Sequence, residues 1–171
     1  MLSAEQHLQI ADELIAADAS KELLPILTGR YPGMVVDDSY AVQRAWTERK
    51  LAEGRRVVGR KIGLTSKVMQ VATGITEPDY GTLLDDMFFA QGDMPFARFI
   101  APRVEVELAF VRAKPLTGPH TTIFDVLDAT AYVVPALEIL NSHLVMEGRT
   151  IVDTISDNAA MGAMVIGGRP V

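Results

Sequence analysis

The alternation of apolar and polar positions makes the chain helical at its start and rich in strands afterwards. Leu8, Ala11, Leu14, Ile15 and Ala17 recur at the three- and four-residue intervals of one helix face. Ser3, followed three residues later by Gln6, has the form of a capping box that satisfies free N–H groups of the first turn. This helix must end before Pro25, because the residue preceding a proline is pushed out of helical backbone. A turn around Gly29-Arg30-Tyr31-Pro32-Gly33 separates it from a second helix. That helix starts at Asp37 or Asp38, whose carboxylates suit the positive end of a helix. It carries Val42, Ala45 and Trp46 on one side and stops at Gly54. Residues 1–54 therefore form a helical N-terminal segment.

Beyond Gly54 the period shortens. Val57-Val58-Gly59-Arg60-Lys61-Ile62-Gly63 predicts a strand, and 65–71 a short helix capped by Thr65 or Ser66. Pro78 and Gly81 make 75–86 a loop. The clearest strand is 103–111. Thr122 caps a helix to about Ala131, 133–140 predicts a strand, and Met164-Val165-Ile166 predicts another that runs into Gly167-Gly168. The class is α+β, with 55–171 as one mixed unit.

The length of 171 residues fits one domain, and 49% hydrophobic residues suffice for a packed core. A net charge of −6 speaks against binding nucleic-acid phosphates, which calls for a basic face. With no cysteine, disulfides, thiolate metal sites and cysteine nucleophiles are excluded. Glu5, Asp12 and Glu13 do not suit a signal peptide, and no run of 18 apolar residues suits a membrane span. The expectation is a soluble, cytoplasmic protein without a membrane partner.

The chemistry concentrates in Arg103-Val104-Glu105-Val106-Glu107-Leu108-Ala109-Phe110. On a strand Glu105 and Glu107 share one face, about 7 Å apart, and Val104, Val106, Leu108 and Phe110 share the other. Taken alone, such a segment is ordinarily an amphipathic strand with a solvated acidic face. Glu138 is the only acid in the apolar run Val133-Val134-Pro135-Ala136-Leu137-Glu138-Ile139-Leu140. It is either a polar residue at a strand end or a buried carboxylate in need of a partner. Together the three glutamates can hold a hard cation such as Mg²⁺ and leave positions open for substrate. Lys61 lies between Gly59 and Gly63 on an apolar strand, either snorkelling at a sheet edge or acting in acid–base and electrostatic roles. In Glu77-Pro78-Asp79-Tyr80-Gly81 and in Asp85-Asp86 the acids are turn formers, unless one stands near a metal as a base. His7, on a helix, and His120, in a Gly-Pro-His turn, read as surface residues, and His143 shows no ligand spacing. Met161 and Met164 read as core.

Five ordered motifs carry a family resemblance: Gly59-Arg60-Lys61-Ile62-Gly63-Leu64-Thr65-Ser66-Lys67, Glu77-Pro78-Asp79-Tyr80-Gly81, Pro102-Arg103-Val104-Glu105-Val106-Glu107, Pro135-Ala136-Leu137-Glu138 and Asp153-Thr154-Ile155-Ser156-Asp157-Asn158. The chain resembles the 2-oxopent-4-enoate hydratase group of the fumarylacetoacetate hydrolase superfamily, within it most of all the enzymes of 2-oxohept-4-ene-1,7-dioate hydration in homoprotocatechuate degradation. The resemblance implies a mixed β-roll with a helical N-terminal part, of which 55–171 is the N-terminal portion. It implies Mg²⁺, or Mn²⁺, on Glu105, Glu107 and Glu138. Lys61 and Asp79 would line the site, one as base and the other as electrostatic or proton-donating partner. Arg60, Ser66 and Lys67 are the candidates for substrate binding. Asp79 favours hydratase over the related 4-oxalocrotonate decarboxylases, in which this position is apolar. Those decarboxylases, and a shortened non-catalytic accessory subunit, are the alternatives. The partners implied are a small 2-oxo acid, copies of the same chain in a homo-oligomer, and associated pathway enzymes. Three features depart from the family pattern. Asn141-Ser142-His143 stands where Asp-Ser-Arg is usual, 144–150 is short, and the family's C-terminal strands and His-Pro motif do not follow Val171. Open sheet edges are the expected consequence.

Overall fold

The computed structural model describes residues 1–90 and 92–171, without the side chains of 72 and 73. Helix α1 (Ala4–Ser20) opens on the predicted capping box: Ser3 Oγ accepts from the Gln6 N–H, and the Gln6 side chain accepts from the Ser3 N–H at 2.9 Å. Its buried stripe is Ile10, Ala11, Leu14 and Ala17, which leaves Leu8 exposed. A short helix α2 (Leu27–Arg30) precedes α3 (Val36–Ala52), which buries Val42, Ala45 and Trp46 as the spacing predicts. Helix α3 begins one residue before Asp37. Asp38 acts from inside the first turn, accepting from the Val35 N–H at 3.1 Å and the Leu2 N–H at 2.9 Å. The same carboxylate lies 3.0 Å from His7 Nε2, so His7 is a half-buried linker between α1 and α3 rather than a surface residue.

Strand β1 (Val57–Gly63) leads through α4 (Lys67–Thr73) to β2 (Asp79–Leu84). The segment 75–86, expected as a loop, therefore holds a strand. Antiparallel pairing with β1 overrides the breakers, setting Lys61 opposite Gly81 and Gly63 opposite Asp79. Gly81 is no turn residue here. A Cβ on it would stand 2.6 Å from the Asn158 carbonyl oxygen, so it marks a close backbone approach.

The second sheet contains β3 (Phe88–Phe89), β4 (Arg103–Arg112), β5 (Thr130–Leu140) and β6 (Met161–Ile166) in the order β3-β6-β5-β4. β4 and β5 are antiparallel, joined through α5 (Ile123–Ala129), which Thr122 caps as predicted, with Asp125 completing the capping box. One face of this sheet meets α1 and α3 in a common core, where Ile10, Leu14, Leu27, Val42 and Trp46 pack with Leu84, Met87, Ala136, Met161 and Met164. The acidic row of β4 belongs to this inward side, and the apolar row Val104, Val106, Leu108 and Phe110 is the exposed one, Val106 to 83%. Alternation determines which residues share a face but not which face is covered.

Helix α6 (Ile151–Ser156) has no counterpart in the sequence pattern, because Val152, Asp153, Thr154, Ile155 and Ser156 are all buried and no amphipathic period remains. Asp153 fastens it. Its carboxylate accepts from the N–H groups of Thr28 and Thr150, both at 2.9 Å, and from both hydroxyls at 2.8 Å. A left-handed turn follows at Asn158, Ala159 and Ala160, with φ of 48°, 54° and 56°. Asn158 clamps β2 by accepting from the Thr82 N–H at 2.7 Å and donating to its carbonyl at 2.9 Å.

Candidate active site

Glu105 and Glu138 are direct cross-strand partners on β4 and β5, and Glu107 follows two residues along the same row. Pairing in this register brings three carboxylates onto one patch, with a ligand oxygen from each within 4.8 Å of the others. Like charges this close need a counter-ion. Glu138 is 3% exposed, and burial together with Glu105 and Glu107 lifts its carboxyl above the usual range, while Lys61 opposes the rise.

Lys61 supplies the cation. As the inward residue of β1 it is 9% exposed, and its Nζ lies 2.9 Å from Glu138 Oε1, an ion pair between the two sheets. That oxygen has no well-angled hydrogen bond among the described residues. The Lys61 stem passes over Gly81, where a Cβ would stand 3.2 Å from Lys61 Cγ. Asp79 mirrors this arrangement two pairs along, its carboxylate filling the space that a side chain on Gly63 would occupy. The two glycines thus make room for the two functional side chains. Asp79 is 3% exposed, and its Oδ2 has no hydrogen-bond partner among the described residues. Burial raises its carboxyl above the ordinary range, against the pull of Lys61 and Arg149.

The five residues Lys61, Asp79, Glu105, Glu107 and Glu138 thus come together from β1, β2, β4 and β5. All-oxygen donors, one buried carboxylate oxygen lacking a sound hydrogen bond, and three acids against one lysine fit a hard divalent cation. Arg60, Ser66 and Lys67 are exposed and lie outside this group. Arg60 alternates with Lys61, pointing from the other side of β1 and donating to Gly59 O, while Lys67 Nζ donates to Gln70. Asp85 and Asp86 pair with Arg56 and Arg55.

Two features of this region escape sequence reasoning. His143 is buried, its Nδ1 2.6 Å from Asp157 and its Nε2 3.4 Å from Asp18. Burial disfavours the imidazolium, but the two carboxylates outweigh it and push the pKa up to about 9. Asp18 is held far below the usual carboxylate range, chiefly by His143. Arg149 is half-buried, donates to Ser142 Oγ at 3.0 Å and acts electrostatically on Asp79. Its only sequence signal is a lone cation in the short segment between Glu138 and Asp153.

No family model matches the chain. It is 51% identical to a 2-oxo-hept-4-ene-1,7-dioate hydratase of Escherichia coli over all of its own length and 67% of that protein. It is 41% identical to a 2-hydroxypent-2,4-dienoate hydratase of Pseudomonas putida, over 95% of its own length and 74% of the relative. The chain belongs to the 2-oxopent-4-enoate hydratase group of the fumarylacetoacetate hydrolase superfamily. Its structure superposes with a TM-score of 0.94 and 31% identity on the 4-oxalocrotonate decarboxylase of Pseudomonas putida G7, solved with magnesium and adipate, covering all of this chain and 65% of that one. The α+β fold expected for the superfamily is therefore present, and the chain spans about two thirds of the length of these relatives. No described helix is long and apolar enough to cross a membrane.

Proposed function

We propose that the protein is a metal-dependent hydratase, a hydro-lyase that acts on a 2-oxo-4-enoate or its 2-hydroxydienoate tautomer and adds water at C4. The observation that carries this reading is the convergence of Glu105, Glu107 and Glu138 beside the buried Lys61 and Asp79. Glu105, Glu107 and Glu138 would hold Mg²⁺ or Mn²⁺, and the magnesium complex of the structural neighbour supports a divalent ion. When bound, the ion supplies Lewis-acid polarisation of the substrate's 2-oxo and carboxylate oxygens.

The chain's own groups then handle protons. Asp79 presents a buried carboxyl, raised above its ordinary range by that burial, whose Oδ2 has no hydrogen-bond partner among the described residues, which suits it to a general-base role. In ketonisation a proton leaves the 2-hydroxyl and another is delivered to the terminal carbon of the diene. The double bond thereby shifts to C3–C4, conjugated with the ketone. In hydration Asp79 accepts a proton from water as its oxygen bonds to C4. The C3–C4 π bond breaks and C3 is protonated, giving a 4-hydroxy-2-oxo acid. Lys61 pairs with Glu138 beside the metal patch, opposing the rise that burial imposes on its carboxyl, and presents a positive charge to the developing oxyanion.

The E. coli relative supports 2-oxohept-4-ene-1,7-dioate as substrate; a place in homoprotocatechuate degradation is part of the same proposal. A cytoplasmic homo-oligomer, associated with other enzymes of aromatic catabolism, completes the reading. Product analysis after incubation with the seven-carbon dienoate tests it. The expected product is 4-hydroxy-2-oxoheptane-1,7-dioate. Release of CO₂ would assign the decarboxylase chemistry of the structural neighbour instead, and an unchanged substrate would leave an accessory role.

A further inference from the structure

We infer that Gln43 and Asn158 are positioning residues of the reaction: they hold strand β2 from its open edge and so fix where Asp79 stands. This inference rests on the hydratase reading and deepens it by naming residues outside the acidic patch on which proton transfer depends. Among the described residues β2 has a strand neighbour, β1, on one edge only. Successive residues of a strand send their N–H and C=O groups to opposite edges, so Tyr80 and Thr82 present theirs away from β1.

Two side-chain amides stand there in place of a strand. Gln43 Nε2, from α3, donates to the Tyr80 carbonyl at 2.8 Å and to the Ile155 carbonyl of α6 at 3.1 Å. Asn158 accepts from the Thr82 N–H at 2.7 Å and donates to the Thr82 carbonyl at 2.9 Å, as one residue of a paired strand would. Both side chains are buried, Gln43 to 3% exposure and Asn158 to 4%. The ring of Tyr40, on the same face of α3 as Gln43, stacks on that of Tyr80 at 4.5 Å. Gly81 is wedged between the two sides, because a Cβ there would stand 2.6 Å from the Asn158 carbonyl oxygen and 3.2 Å from Lys61 Cγ. Asn158, Ala159 and Ala160 all keep left-handed backbone, which residues other than glycine hold only where the surroundings impose it. The turn thus carries its own strain in delivering the Asn158 amide to β2. Asp79 is the residue that depends on this edge. It directly precedes Tyr80, and its Oδ2 has no hydrogen-bond partner among the described residues, so the aim of that oxygen follows the backbone that carries it.

The test is a double-mutant cycle. Gln43→Met keeps the side-chain length and removes the donor to both carbonyls, and Asn158→Gly removes the amide while tolerating the φ of 48° at that position. Each is made in wild type and in Asp79→Asn, and assayed with magnesium well below its own Tm. Rates are read from decay of the dienol absorbance. Independently of hydration, they are read by NMR from 2-oxopentanoate in deuterium oxide, where a proton leaves C3 and a deuteron from the solvent takes its place. With Asp79 present, each variant should lose at least about tenfold in kcat and keep KM within about twofold, since a reacting group misplaced by about 1 Å loses up to roughly 10²-fold. In Asp79→Asn the further loss should stay below about twofold, because no carboxylate remains to be misplaced. Either variant decides the matter should the other not fold. An equal loss in both backgrounds, a raised KM with kcat kept, or unchanged rates would reduce the two amides to packing and overturn the inference. Exchange that follows this cycle without any hydration would sink the hydratase reading and leave the positioning role standing. Neither reaction in folded wild type would overturn both.

Discussion

The proximity of Asp79 to Gly63 makes Gly63→Ala a sharp probe of the acid–base pair. The new Cβ would fall inside contact distance of the Asp79 carboxylate, which must retreat by about 1 Å to reach ordinary contact. The same Cβ would lie 3.5 Å from Lys61 Nζ, an ordinary contact, so the lysine and its pairing with Glu138 are undisturbed. The obstacle is the far end of a side chain rather than backbone, so the stability cost should fall at the low end of overpacking, about 1 kcal/mol. A catalytic group displaced by about 1 Å costs roughly 10²-fold in rate. Gly63→Ala should therefore lose about two orders of magnitude in kcat, keep its magnesium affinity and keep most of its thermal stability. Stopped-flow decay of the dienol absorbance gives kcat, and calorimetric metal titration gives the affinity. A wild-type kcat, or a loss of metal affinity in proportion to the loss of rate, would refute the placement of Asp79 at the reacting centre.

Two further outcomes concern the frame. Asp153→Ala removes the acceptor of the Thr28 and Thr150 N–H groups and of both hydroxyls and should cost about 2–4 kcal/mol, read from the urea midpoint; an unchanged midpoint would show that α6 does not depend on this carboxylate. His143 has a folded-state pKa raised to about 9 from 6.5, so its contribution is fully present below pH 6.5 and is lost as pH rises through 9. That contribution is on the order of 3 kcal/mol. The Tm should drop between pH 7 and pH 10 in wild type and drop far less in His143→Gln; parallel profiles would rule out the Asp18–His143–Asp157 contact as the cause.

What could be read from the chain and what could not divide along physical lines. Local signals carried far: the Ser3 and Thr122 caps, the Val42–Ala45–Trp46 stripe and the alternation of β4 all appear in the fold. The three glutamates could be grouped because two sit on one strand and the third is an acid in an apolar run. Signals set by tertiary pairing were invisible. Strand β2 is held by β1 across Gly81 and by the Asn158 clamp, neither of which leaves a periodic trace. Helix α6 is buried on all sides and so lacks a stripe. Arg149 and His143 gain their character from carboxylates far away in the chain, such as Asp79 and Asp18. The side of β4 that is covered depends on α1 and α3, which alternation along β4 cannot report.

The central claim is that the glutamate patch and the Lys61–Asp79 pair form one metal-dependent hydration site. The most direct measurement is the ultraviolet decay of 2-hydroxyhepta-2,4-diene-1,7-dioate across a magnesium titration, for wild type and Glu107→Gln together. Decay that saturates with magnesium in wild type, yields the 4-hydroxy-2-oxo acid and disappears in folded Glu107→Gln is the predicted result. Decay in wild type that ignores magnesium, or full activity in Glu107→Gln, would contradict it.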